Sequence, residues 1–171
     1  MQIIIIRHAE AFQIGERGLT TDAHRMLTPK GHKDARRLGK ALAVVGVVPD
    51  LVLTSPLVRA VETAENVIRG ASWPGPLRET EHLMPPGAEK LLMREILDVA
   101  KGRGGAFGDM TVACVGHEPF LGQWLQFLLN ETTIPAIEMS KSTAACVKIS
   151  EDDSPQMKWL ISRKLAKLIV R

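Results

Sequence analysis

Residues 1–10 read Met1-Gln-Ile-Ile-Ile-Ile-Arg-His-Ala-Glu10. Four β-branched, apolar residues in one short run predict a strand buried on both faces, the central parallel strand of an α/β sheet. Arg7, His8 and Glu10 then follow with no turn residue between them and the strand. In an open α/β sheet the carboxyl ends of the strands are where ligands bind. The most apolar strand of the chain therefore delivers a guanidinium, an imidazole and a carboxylate to the edge where chemistry is done.

Composition bounds the rest. A chain of 171 residues with 45% hydrophobic and 24% charged residues suits one globular domain over 1–171 with a sizeable core. The 22 basic and 19 acidic residues leave a net charge of +3, and there is no Tyr. Neither a nucleic-acid footprint nor a base-stacking platform is expected. Cys114 and Cys146 sit in apolar runs without metal-ligand spacing and are expected as buried free thiols in a reducing compartment. Ile3–Ile6 is too short for a signal-peptide core, and no stretch approaches the roughly 18 apolar residues of a membrane span. The expectation is a soluble cytoplasmic domain with no membrane partner.

Beyond the first strand, residues 11–27 read as a polar loop carrying Arg25. Thr28-Pro29 is a cap followed by a first-turn proline, and Ala35, Leu38, Leu42 and Val45 mark a helix over 30–45 that ends at Gly46. Asp50–Thr54 is a second strand. Ser55-Pro56 repeats the cap-plus-proline start of a helix that carries Arg59 in its first turn and closes at Gly70. A proline-rich crossing over 71–87, with a short strand around Leu77, leads to a helix over Ala88–Ala100. Gly102-Arg-Gly-Gly-Ala-Phe-Gly108 does not match a dinucleotide loop and precedes a strand, so it reads as a plain turn. Met110–Val115 is a third strand running into Gly116-His117-Glu118-Pro119 and another helix. Lys141–Ile149 and Met157–Ser162 read as an antiparallel hairpin joined by the turn Glu151–Pro155, and Arg163–Arg171 as a basic tail packed on the domain. No repeat and no linker interrupts this order. The fold class is a three-layer α/β/α sandwich with a mostly parallel central sheet and an antiparallel edge hairpin.

Three strand ends thus present Arg7-His8, Arg59 and His117. Two guanidiniums and two imidazoles make a compact positive pocket suited to a tetrahedral dianion. Helix N-termini after Ser55 and near Glu118 add backbone donors. A neutral, oriented imidazole is a nucleophile towards phosphorus. No metal or other cofactor is expected. His117-Glu118 lacks the second His of a zinc helix, because position 121 is Leu, and His8-Ala9-Glu10 lacks the cysteine partner motif of a zinc deaminase.

Taken together, Arg7-His8-Ala9-Glu10, Leu27-Thr28-Pro29-Lys30-Gly31, Ser55-Pro56-Leu57-Val58-Arg59-Ala60-Val61-Glu62-Thr63 and Gly116-His117-Glu118-Pro119 resemble, in order, the four landmarks of the histidine phosphatase superfamily. Met84-Pro85-Pro86-Gly87 and Lys158-Trp159-Leu160 resemble its small SixA-type phosphohistidine phosphatases. Ala9, where the superfamily more often has Gly, is common in that branch. The resemblance implies a phosphoglycerate-mutase-like fold, with His8 as nucleophile and Arg7, Arg59 and His117 on the phosphoryl oxygens. It implies Arg25 as a weaker rim or supporting contact, and Glu10 and Ser55 belong to the same weaker set.

Larger members of the superfamily carry an acid that protonates the leaving oxygen. Glu79 and Glu81 lie in the corresponding region, as weak candidates for a proton donor. A leaving imidazole, with a pKa of about 6.5, needs such an acid less than an alkoxide does. Short loops leave the pocket open to a side chain on a folded protein. The expected substrate is a phosphohistidine on a phosphotransfer signalling protein. A small-molecule phosphomonoesterase or sugar phosphatase is the alternative, and a non-catalytic phospho-ligand binding module is a third reading.

Overall fold

A computed structural model describes residues 1–102, 110–130, 137–150 and 154–170. Strand β1 (Gln2–Arg7) is followed by helix α1 (Pro29–Val44), β2 (Leu51–Thr54), α2 (Val58–Ala71), β3 (Leu77–Glu79), α3 (Glu89–Gly102), β4 (Thr111–Gly116) and α4 (Phe120–Leu128). The chain then continues through β5 (Ala144–Lys148), β6 (Gln156–Ile161) and α5 (Arg163–Ile169). The six strands form one mixed sheet in the order β3-β2-β4-β1-β5-β6. The four strands β3, β2, β4 and β1 are mutually parallel. Strands β5 and β6 close the β1 side as an antiparallel hairpin. β1 is therefore central, but parallel to only one of its neighbours.

The isoleucine run is explained by the two layers it separates. Ile4 and Ile6 pack with Leu38 and Leu42 of α1 and Ala64 and Val67 of α2. Ile3 and Ile5 pack on the other face with Leu92 and Ile96 of α3 and Trp124 and Leu125 of α4. Alternate residues of a strand point to opposite faces, so only a strand covered on both sides needs an unbroken apolar run. Each fully buried isoleucine contributes about 1.5–3 kcal/mol relative to exposure. The tail forms α5, capped by Ser162 through the Leu165 amide at 3.2 Å, and Ala166 is buried against α1 and its neighbours.

Two local expectations are corrected. Thr28 does cap α1, accepting from the Gly31 amide at 3.0 Å, with Pro29 as first residue. Ser55-Pro56 does not cap α2. That helix begins at Val58 without a side-chain cap, and the Ser55 hydroxyl is used elsewhere. Nor does Gly70 end α2, which closes one residue later with Ser72 in the left-handed region at φ 55°. A Cβ on Gly70 would stand 2.1 Å from the Arg36 carbonyl, and one on Gly39 2.2 Å from the Val67 carbonyl. These glycines let α1 and α2 touch backbone to backbone. The residue 11–27 loop holds two 3-10 turns, Glu16–Gly18 and Asp22–His24, and a bridge from Ala11 to Leu27. Cys114 and Cys146 are buried and free. Of the glycine-rich turn only Gly102 is described, and most of the Glu151–Pro155 turn likewise lies outside the described residues.

Candidate active site

Strand order makes the site. β1, β4 and β2 lie side by side, so their carboxyl ends are contiguous although 116 and 54 are far apart in sequence. The loops leaving them are tied together by the backbone: the His8 amide donates to the Gly116 carbonyl at 3.0 Å and the Ser55 amide to the Val115 carbonyl at 3.0 Å. His8, Arg59 and His117 are only 7%, 4% and 2% exposed. Their imidazole rings, His8 and His117, lie 5.0 Å apart between centroids.

The His8 Nδ1 donates to the Ala9 carbonyl at 2.7 Å. That bond assigns the proton to Nδ1 and leaves the Nε2 lone pair free. Burial lowers the His8 pKa to about 4; the Ala9 bond opposes that shift, and the charges of Arg59, Arg7 and Lys141 add to it. The ring is thus neutral at neutral pH, the state a nucleophile requires. His117 is lowered to about 3, chiefly by burial and then by His8 and Arg59. Its Nε2 stands 2.9 Å from the Ser55 hydroxyl, which itself accepts from the Leu57 amide at 3.3 Å. In the tautomer in which Nε2 accepts the Ser55 proton, His117 carries its own proton on Nδ1.

Four buried nitrogens have no hydrogen-bond partner among the described residues. One, Trp124 Nε1, belongs to the core layer of α3 and α4, and the other three are Arg7 Nε, Arg59 Nε and His117 Nδ1. An unpaired buried donor costs about 1–3 kcal/mol. These three belong to three of the four residues singled out by sequence, and all are N–H donors. Such a set fits the oxygens of a tetrahedral anion. Other guanidinium nitrogens are already bonded within the protein: Arg7 Nη1 donates to the Met139 carbonyl, while Arg59 Nη1 and Nη2 donate to the Asp22 carbonyl and carboxylate at 2.8 and 2.9 Å.

The weaker candidates take other places. Arg25 donates from Nη1 to Asp22 at 2.9 Å, from Nε to the Phe12 carbonyl at 2.7 Å and from Nη2 to Gln13 at 3.1 Å. It reaches Arg59 only through the shared Asp22 carboxylate. Glu10 accepts from Lys30 and from the Thr28 hydroxyl, and the Lys30 hydrogen bond holds its carboxyl below the usual range. With Arg7, Lys30, Lys141, Ser142 and Arg163 it lines a cavity of about 310 Å³. Glu79 and Glu81 are exposed at the carboxyl end of β3. Among the described residues neither is hydrogen-bonded to His8, Arg7, Arg59 or His117.

Three contributors escape a sequence reading. Asp22 bridges Arg25 and Arg59. Thr63 accepts from the Ala9 amide at 2.9 Å and donates to the Arg59 carbonyl at 2.6 Å, fixing the His8 loop to α2. Lys141 adds positive charge near His8. Asp22 stands three residues before Arg25, within a signal range of one turn, whereas nothing local marks Lys141. Among the described residues no group of His, Cys, Asp and Glu is arranged to hold a metal ion, and no helix is long and apolar enough to cross a membrane.

A phosphoglycerate-mutase-like sandwich with two imidazoles and two guanidiniums at its strand ends defines a class, and sequence agrees. The model of the histidine phosphatase superfamily, branch 1, matches residues 3–84, just under half of the chain. Its fold matches the protein histidine phosphatase SixA in complex with tungstate: the two are 25% identical, with a TM-score of 0.81 over 96% of this chain and 98% of that one. Residues of this chain are also 39% identical over 69 positions to a 2,3-bisphosphoglycerate-dependent phosphoglycerate mutase of Thermobifida fusca. A further match is the mitochondrial serine/threonine-protein phosphatase Pgam5 of Drosophila ananassae, 39% identical over 67 positions. These matches cover 40% and 39% of this chain but only 28% and 22% of those two curated relatives.

Proposed function

We propose that the chain is a phosphatase that works through a covalent phosphohistidine on His8, with phosphohistidine on a cytoplasmic phosphotransfer protein as its substrate. The observation that carries the chemistry is the pairing of a neutral His8, its Nε2 free, with the three unpartnered buried donors of Arg7, Arg59 and His117. In the first step Nε2 attacks phosphorus and a P–N bond forms as the bond to the leaving group breaks. The leaving imidazole nitrogen takes its proton from solvent water. Arg7, Arg59 and His117 hold the three equatorial oxygens while charge spreads over them. In the second step water attacks phosphorus, the P–Nε2 bond breaks, and inorganic phosphate leaves with the water's oxygen while His8 returns to its neutral form.

Two features favour a phosphohistidine substrate. SixA, similar along nearly the whole chain, is a protein histidine phosphatase. Glu79 and Glu81, the candidate acids, are exposed and make no bond to the site residues, and a departing imidazole can be protonated near neutral pH without them. The mutase and Pgam5 matches favour the second reading, a phosphomonoesterase for alkyl phosphates on small molecules or proteins.

The test compares phosphate release from a phosphohistidine-bearing phosphotransfer domain and from para-nitrophenyl phosphate, with wild type and His8→Ala. Preference for the protein, abolished in the variant, supports the proposal. Equal or faster turnover of the ester, abolished in the variant, moves the assignment to a phosphomonoesterase. Turnover that survives His8→Ala overturns the nucleophile. Binding of phosphate without any turnover makes the chain a phospho-ligand module. Glu79→Gln and Glu81→Gln are expected to leave phosphohistidine turnover intact.

A further inference from the structure

The net charge of +3 hides an asymmetry. Helix α1 carries Lys30, His32, Lys33, Arg36, Arg37 and Lys40 against a single acid, Asp34. Its apolar period turns Ala35, Leu38, Ala41 and Leu42 into the core, and Lys33, Arg36 and Lys40 are left exposed on the outer face. Asp34 is buried and divided among Arg37 at 3.3 Å, Arg163 at 3.3 Å and Lys30 at 4.0 Å. Arg36 donates to a neutral partner, the Asn66 side chain, at 3.2 Å. Lys33, Arg36 and Lys40 have no carboxylate partner among the described residues.

These cations line a groove of about 420 Å³ with His32, Arg37 and Val170 at the end of α5. The start of the same helix comes close to the site, because Lys30 and Asp34 line the cavity that Arg7 also lines. From Lys30 to Lys40 is ten residues, or about 15 Å of helix. Beyond Lys40 the cationic face passes into exposed aliphatic residues: Val44, Val45 and Val48 are 66%, 45% and 61% exposed. Cations bordering exposed apolar side chains, with no Tyr in the chain, suit a protein surface better than a nucleic-acid backbone.

We propose that the outer face of α1 docks the phosphorylated protein substrate through an acidic surface segment of that substrate, with the apolar border at Val44 and Val48 completing the contact. This rests on the phosphohistidine reading above and adds the chemistry of the partner to it. Complementary charge of this kind raises the encounter rate and falls with ionic strength. A small substrate does not extend to Lys33 and Lys40 and is insensitive to them.

The test uses Lys33→Glu/Lys40→Glu, both exposed and outside the catalytic set. Its substrates are an acidic histidine phosphotransfer domain phosphorylated with phosphoramidate and free phosphohistidine. The expected result is a loss of at least tenfold in kcat/KM on the domain at low salt, with free phosphohistidine turned over within twofold of wild type. Raising the salt to about 0.5 M, where the Debye length falls to a few ångströms, is expected to erase most of the difference. Unchanged turnover of the domain by the variant overturns the docking proposal alone. Failure of wild type to act on the domain while it hydrolyses para-nitrophenyl phosphate overturns the substrate reading and the docking proposal with it. A short RNA that binds wild type tightly, loses binding in the variant and does not compete with the domain makes α1 a nucleic-acid face and also overturns it.

Discussion

Asp22 grips the Arg59 guanidinium end-on: its carbonyl accepts from Nη1 at 2.8 Å and its carboxylate from Nη2 at 2.9 Å. This clamp occupies the two terminal nitrogens and leaves Nε, which is buried and has no protein partner among the described residues. A planar guanidinium held at one end has its other edge fixed in orientation. The second carboxylate oxygen holds Arg25, itself anchored to the Phe12 carbonyl, so the 11–27 loop and the first turn of α2 are joined through one acid. Burial would raise the Asp22 carboxyl, but hydrogen bonds from Arg25 and Arg59 outweigh it and hold it below the usual range.

Asp22 is therefore a positioning residue for Arg59. Hydrogen bonds to charged groups contribute about 1.5–3 kcal/mol, so Asp22→Ala is expected to lower kcat/KM roughly ten- to a hundredfold. The loss falls mainly in kcat, and inhibition by product phosphate weakens in parallel. Asp22→Asn, which keeps the carbonyl and one acceptor, restores most of the activity. Steady-state kinetics with phosphate as inhibitor checks this; an Ala variant with wild-type kcat and phosphate affinity would remove the role. Stability changes by less than about 1 kcal/mol, because the carboxylate is half exposed.

Thr63 sets the distance between the His8 loop and α2. In Thr63→Val the Ala9 amide loses its acceptor inside the protein, at a cost of about 1–3 kcal/mol. Urea unfolding reads that loss. Turnover falls as well, because Ala9 supplies the carbonyl that orients the His8 ring. Thr63→Ser keeps the hydroxyl and is expected to retain both stability and activity.

The imidazoles carry a pH signature. His8 is expected to titrate near pH 4 and His117 near 3, against about 6.5 for an unfolded histidine. NMR titration of the two rings checks the values, and midpoints near 6.5 would contradict the burial argument. Between these limits the unfolded chain binds more protons than the folded one. Stability therefore rises with pH across that window, and is lost as pH falls from about 6.5 towards 4. Thermal melting between pH 4.5 and 7 measures the slope, and replacing His117 by Asn reduces it.

Helix packing behind the site depends on two hydrogen atoms. Gly39→Ala and Gly70→Ala each place a Cβ about 2 Å from a backbone carbonyl of the facing helix. Neither carbonyl can move without its helix, so each variant is expected to lose about 1–3 kcal/mol, the usual cost of overpacking. Because α2 carries Arg59, activity falls together with stability. Gly46→Ala also costs stability, through the strain of a side chain at φ +77°, but the space there is open and α1 and α2 keep their contact, so activity measured beside denaturant unfolding distinguishes it.

Much of this protein was legible in sequence by itself, wherever the determining physics is local. A short, unbroken run of β-branched isoleucines reads as a strand covered on both faces, and the alternation of Ile3 and Ile5 with Ile4 and Ile6 between two core layers accounts for it. Thr28-Pro29 and the three- and four-residue spacing of Ala35, Leu38 and Leu42 mark α1 within one residue. Arg7, His8, Arg59 and His117 were visible because each follows directly on a strand or opens a helix. The tertiary structure decided what no local pattern encodes. It put β4 between β1 and β2, so that three separated strand ends became neighbours. It took Ser55 from the helix start expected of it and gave it to His117, 62 residues away. It brought Asp22 to Arg59 across 37 residues and set Lys30 of α1 in one cavity with Arg7 of β1. Helical and strand periods are short-range and survive in the sequence. A hydrogen bond or a field between distant residues exists only once the sheet has closed their separation.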